Sequence, residues 1–299
     1  MKKHIIRILI VTIFILSSIG ITLICIDAFK KENPPKAGFN ETILDESILL
    51  DKIEGKTVLQ LDAKTNLYIA NKVMNNLKYY ESELTGEANT EVLGFDTIQR
   101  TKSKKVVNDD VLFIELLSHS RFVKFSYQTY FKEETILERK GTVTSINEDA
   151  NYSKSKIKKY QNDEYIAKYG YIPNVVLPYV LNDSTILEAK LLSCEENLYT
   201  YNYKLDPIES VKYYSYKVMT SGGASKLPVF SSVEINITIN DEYQILKIET
   251  IEEYQVKGMV ILGISIEPFV KSVVVETIKI NENKVPIKDE EVFLNYLSK

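Results

Sequence analysis

Apolar residues recur along this chain in three rhythms, and each rhythm predicts a different kind of element. The first is continuous. Residues 8–26 are apolar apart from Thr12, Ser17, Ser18, Gly20 and Thr22, and Lys2, Lys3 and Arg7 precede them. A helix of this length, at ~1.5 Å per residue, spans roughly the ~30 Å hydrocarbon core of a bilayer. The second rhythm is helical. Leu67, Ala70, Val73, Met74 and Leu77 return every three or four residues and predict a leading helix over 64–80. Its remaining positions are rich in Asn and Lys, so it should lie against a sheet with one face in water.

The third rhythm is alternation, which predicts strands with one buried face. In 122–131, Phe125, Tyr127 and Thr129 alternate with Lys124, Ser126 and Gln128. Runs at 111–117, 135–140 and 141–146 read as its neighbours. Later, 185–192 is followed by 198–205, with Tyr199, Tyr201, Tyr203 and Leu205 on one face. Val233, Ile235, Ile237 and Ile239 alternate strictly with Glu234, Asn236 and Thr238 in 232–240. Residues 246–256 form the returning strand, and 273–280 adds another. Short polar connections between these runs imply hairpins and antiparallel pairing.

Two stretches break the alternation. Asp163 is placed to cap a short helix over 164–169 that Gly170 closes. Pro173 and Pro178 then force an irregular apolar passage over 171–181, readable as a cavity edge or as a loop packed over the core. Asp206 and Pro207 start a second inserted helix over 207–220, which Gly222 and Gly223 end. The fold class is therefore α+β: a curved, largely antiparallel, half-barrel-like sheet with a leading helix and inserted short helices. The chain divides into an N-terminal membrane anchor or signal segment at 1–28, a stalk and lead-in at 29–56, and one extracytoplasmic domain at 57–299. Pro34, Pro35 and Gly38 mark the stalk.

The basic residues before the apolar run orient the N-terminus inside and the C-terminal body outside the membrane. Retention as an anchor fits the length; cleavage after Ala28 and lipidation of Cys25 are the other fates. Residues 1–36 hold six Lys/Arg and two Asp/Glu, which leaves 31 basic and 39 acidic residues beyond them, a net charge of −8. That balance argues against nucleic acid as a partner. Cys194 is the one cysteine beyond the membrane segment, so no intramolecular disulfide framework exists there. Twenty tyrosines and no tryptophan suit sheet positions with one buried face and a hydroxyl at the surface.

Catalytic chemistry finds little support. His119 sits between Ser118 and Ser120, whose side chains leave a strand on the opposite face. No Gly-x-Ser-x-Gly elbow is present. Asp109-Asp110 and Asp289-Glu290-Glu291 lack the ligand spacing of a calcium loop and read as turns. No cofactor or metal set is indicated. Ser221 to Ser225 is glycine-rich but lacks the lysine of a phosphate loop, so a helix end explains it.

The residues of 198–207, 213–223, 228–234 and 240–248, with 163–170 and 177–187, resemble a family of uncharacterised, membrane-anchored envelope proteins of Gram-positive bacteria. More distantly, the pattern is similar to the lipoprotein-carrier (LolA/LppX-like) architecture. That resemblance implies an unclosed barrel whose apolar concave face holds acyl chains, and it carries over no catalytic residue. The reading that results is a membrane-tethered extracytoplasmic binding protein, single-pass through 8–26, holding a lipid or other amphiphile without catalysis. Its candidate ligand-binding residues are Tyr171, Ile172, Val175, Leu177, Tyr179, Tyr199, Tyr201, Tyr203, Ile235 and Ile237. If side chains fill the concavity, an envelope protein-interaction or sensor module is the alternative, and a hydrolase stands third.

Overall fold

A computed structural model describes residues 55–92, 95–121, 124–173, 175–222, 224–261 and 264–298. The proposed membrane segment at 8–26 and the stalk lie outside the described residues. Among the described residues no helix is long and apolar enough to cross a membrane.

The alternating runs build two antiparallel meanders. The first contains β1 (Tyr79–Val92), β2 (Phe95–Asn108), β3 (Val111–His119), β4 (Lys124–Lys132), β5 (Thr135–Gly141) and β6 (Lys158–Gln161). The second contains β7 (Ile186–Glu195), β8 (Leu198–Leu205), β9 (Lys226–Asn240) and β10 (Ile245–Lys257). A small hairpin, β11 (Met259–Ile261) and β12 (Ile264–Ile266), then leads to β13 (Phe269–Ile280). This last strand pairs antiparallel with both β1 and β10, and so joins the meanders into one sheet of 11 strands, ordered β6-β5-β4-β3-β2-β1-β13-β10-β9-β8-β7. The sheet is curved and remains open, with β6 and β7 as its edges. Register shifts between β9 and β10, at Glu253/Tyr254 and Gln255/Lys257, bend it locally.

Two-residue turns hold the hairpins tight. Asp109, Glu133, Glu196 and Asn197 all adopt left-handed backbone there, the twist that suits a two-residue connection. Asp109-Asp110 is thus the β2–β3 turn, as the sequence suggests.

The leading helix α1 runs over Ala63–Asn76, shorter than the expected 64–80, because the chain must already be extended at Tyr79 to pair with Asn108. Asp62 caps it, accepting from the Thr65 N–H at 2.9 Å. Leu67, Ala70 and Met74 pack into one cluster with Tyr201, Tyr203, Ile235, Ile237 and Ile239. Asn66 is fully buried and donates to the Val58 carbonyl at 2.9 Å and the Tyr201 hydroxyl at 2.8 Å. The Tyr203 hydroxyl donates to the Ala63 carbonyl at 2.8 Å. This end of the concave face is filled.

Other boundaries differ from the sequence reading for local reasons. Residues 141–146 form no further strand; a single bridge joins Thr142 to Asn151. Helix α2 (Asn162–Tyr169) is capped by Gln161, not Asp163, because Gln161 and Glu164 make a reciprocal capping box. Residues 207–213 are a chain of turns, and helix α3 covers only Tyr214–Gly222. The Asp206 carboxylate accepts from the Ile208 and Glu209 N–H groups, and the Ser210 carbonyl is taken by the Val180 N–H at 2.8 Å. On the opposite face of the sheet, helix α4 (Glu290–Leu297) buries Phe293 against Tyr130 and Phe113, with ring centroids 5.1 and 6.2 Å apart. Among the described residues, every strand and helix that shapes the concave face lies beyond residue 56.

Candidate functional site

Where α1 stops covering the sheet, the concave face opens into a cavity of about 490 Å³. Pleating determines its walls, since alternate residues of each strand face inward. Strands β10 and β13 supply Ile248, Thr250, Glu252, Tyr254, Val270 and Val274 as a floor. Strands β1 to β4 supply a side wall that includes Leu84, Ala88, Ile114, Leu116 and Tyr127. The roof is α2, the passage from Tyr171 to Tyr179, and the face of α3 bearing Tyr214, Val218 and Met219. Small side chains keep the space open. At Gly86 on β1, a Cβ would stand 2.8 Å from the Val274 methyl on the paired strand.

The roof is pinned at its turn by Gly170. This residue ends α2 with φ +87° and lies against the Tyr213 carbonyl so closely that no Cβ fits. Pro173 and Pro178 keep the passage out of regular structure, and Tyr171, Val175, Val176, Leu177 and Tyr179 from it line the cavity.

Among the described residues, three carboxylates face this mostly apolar space, and two have lysines. Glu138, 3% exposed, lies 3.6 Å from the Lys168 amine and accepts both 2.9 and 3.0 Å bonds from the Tyr169 hydroxyl. Glu276 accepts from Ser82 and faces Lys105. Burial works against the Lys105 charge, yet Tyr80 and Glu276 beside it leave its pKa raised. The Lys105 amine also donates to the Val175 carbonyl of the roof at 3.3 Å.

Glu252 is different. It is 3% exposed and receives the Tyr179 hydroxyl at 2.6 Å and the Tyr214 hydroxyl at 3.3 Å. Among the described residues no cationic side chain pairs with it. Burial pushes its carboxyl up to about 7, against the pull of the two phenol donors. Burial likewise raises the phenols of Tyr179 and Tyr214 well above the ordinary range, with the Glu252 charge adding to it. The Tyr171 phenol is pushed up to about 12, chiefly by burial. The rings of Tyr179 and Tyr214 meet edge to face at 5.5 Å.

The candidate residues read from the sequence fall into two groups. Tyr171, Val175, Leu177 and Tyr179 line the cavity. Ile172 packs instead against the cluster of Ile136, Tyr165 and Tyr169. Tyr199, Tyr201, Tyr203, Ile235 and Ile237 lie in the packed core under α1 and are not brought to the cavity. Sequence reasoning missed Glu252 and the β1–β2 wall. Glu252 did leave a signal, because it occupies the inward register of Ile248, Thr250 and Tyr254. His119 lies outside the cavity lining, with its Nε2 at 3.0 Å from the Thr144 carbonyl. Among the described residues no group of three or more His, Cys, Asp or Glu side chains could hold a metal.

No family model and no curated protein matches this chain. Two solved structures are similar to it at 10% identity. One is a domain named for outer membrane lipoprotein sorting, from Vibrio parahaemolyticus, with a TM-score of 0.28, covering 80% of this chain and 100% of that one. The other is a DUF1329 family protein from Desulfovibrio piger, with a TM-score of 0.26, covering 76% of this chain and 95% of that one. Membership of a Gram-positive envelope family is not shown. At these scores the likeness carries no argument about the site.

Proposed function

We propose that this protein is a membrane-tethered, extracytoplasmic binding protein that holds the apolar body of an amphiphile between its curved sheet and the Tyr171–Tyr179 roof. The observation that carries this reading is the cavity itself. About 490 Å³ of mostly apolar space lies within the range of small-molecule sites, and it is bounded by a well-packed core rather than merging with it. Burying an alkyl chain there supplies affinity at about 0.8 kcal/mol per CH₂ group and needs no catalytic group. The apolar run at 8–26 with its preceding basic residues supports tethering and export.

Native mass spectrometry of residues 37–299, purified without detergent and followed by solvent extraction, tests the proposal. A co-purifying amphiphile of defined mass supports it. An apo mass that persists after incubation with envelope lipids overturns it. A protein-interaction module is the second reading, favoured by edge strand β7, which leaves Leu187, Leu191 and Leu192 exposed.

A further inference from the structure

The carboxyl of Glu252 is buried in a mostly apolar wall, and among the described residues no cationic side chain pairs with it. The roof contributes Tyr171 and Tyr179, α3 contributes Tyr214, and β10 itself contributes Tyr254. On the flanking strands Glu252 is paired with Ser272 and Val233, neither of which carries charge. The nearest lysine of α3 is committed elsewhere: Lys217 donates to the Tyr165 hydroxyl at 3.0 Å and lies 4.0 Å from the centroid of the Tyr169 ring. A buried carboxylate costs stability unless a cation or enough donors compensate it. Two phenols use two of its roughly four acceptor positions, and Glu252 is among the residues that line the cavity.

We propose that Glu252 and the tyrosines around it receive the ammonium group of a cationic amphiphile, so that the cavity selects a long-chain amine. This rests on the amphiphile-binding reading and names its ligand class. The carboxylate supplies a charge-assisted hydrogen bond, and the ring faces of Tyr171, Tyr179, Tyr214 and Tyr254 supply the environment in which alkylammonium groups are held. Among the described residues, the other two carboxylates at the cavity, Glu138 and Glu276, already face Lys168 and Lys105, which leaves Glu252 as the counter-ion for an arriving cation. The alkyl tail then lies along Val270, Val274 and the β1–β3 wall.

The test compares decylammonium, decanol and decanoate, each below its micellar concentration, by displacement of a neutral fluorescent amphiphile from residues 37–299 at about pH 8. Decylammonium should bind about tenfold or more tighter than decanol, and decanoate weakest of the three. In Glu252→Gln, the advantage of decylammonium over decanol should be lost, so that the ratio of the two affinities falls to about one. Wild-type affinity for decylammonium should also rise between about pH 5 and pH 8, a readout that needs no variant. Decanol binding with no advantage for decylammonium overturns the ammonium site and leaves the amphiphile reading standing. Absence of binding by all three overturns both.

Discussion

The Tyr179 hydroxyl donates a 2.6 Å hydrogen bond to Oε1 of Glu252, and that bond fastens the roof of the cavity to its floor. The donor sits in an irregular proline-containing passage, and the acceptor sits mid-strand in β10, 73 residues later. Both partners are buried, so neither can exchange the bond for water at low cost. Tyr214 makes a second, longer bond to the other carboxylate oxygen and brings α3 into the same junction.

Tyr179→Phe removes the shorter donor and leaves Oε1 uncompensated. The expected loss is about 1–3 kcal/mol. Amide hydrogen exchange should quicken selectively over 171–181, where the roof loses its tie, and remain slow in β8 and β9. Uniform acceleration across the sheet would contradict a local latch.

The Glu252 carboxyl has an ordinary value of 4.5 and is held near 7 in the folded protein. The folded state therefore binds this proton more tightly than the unfolded chain does. Its contribution to stability is fully present below about pH 4.5 and is lost as the pH rises through about 7, by up to about 3 kcal/mol. Glu252→Gln should cancel that component. Urea denaturation at about pH 5 and pH 8 should show the variant gaining on the wild type at the higher pH. An identical pH slope in both proteins would place the carboxyl outside this role.

Gly170 requires left-handed backbone and stands against the Tyr213 carbonyl. Gly170→Ala combines conformational strain with a steric clash, so a destabilisation of at least about 1–2 kcal/mol is expected. The damage should appear first in α2 and α3, read by loss of tyrosine near-ultraviolet dichroism before the far-ultraviolet strand signal changes.

Phe293 on the outer face is wholly buried against Tyr130 and Phe113. Phe293→Ala should cost about 3–5 kcal/mol of stability. Because the sheet separates this cluster from the cavity, affinity for decanol should be retained in conditions where the variant is folded. A matched loss of affinity would show that the two faces are coupled.

Much of the sheet was legible because alternation reports burial directly. Leu198–Leu205 is the strand expected, and the strict alternation at Val233 to Ile239 lies within β9. Strands β1 and β2 were harder, since Thr, Ser, Glu and Lys fill positions whose inward members line a cavity rather than a core. Helix α4 escaped notice because its eight residues offer only Phe293 as a fully buried anchor. The tyrosine stripe at 199, 201 and 203 pointed to the correct face of the sheet but not to its open end, because α1 covers that stretch through Asn66, Leu67 and Ala70.

By itself the sequence determined the period of α1 and of the strongly alternating strands, the antiparallel class and the inward face of β8 and β9, because these follow from side-chain spacing along a single chain. Tertiary structure alone decided that β13 inserts between β1 and β10, that α1 fills one end of the concave face, and that Tyr179 and Tyr214 converge on Glu252. Those are pairings between residues tens of positions apart. Periodicity says which way a side chain points, and only the closed chain says what it meets there.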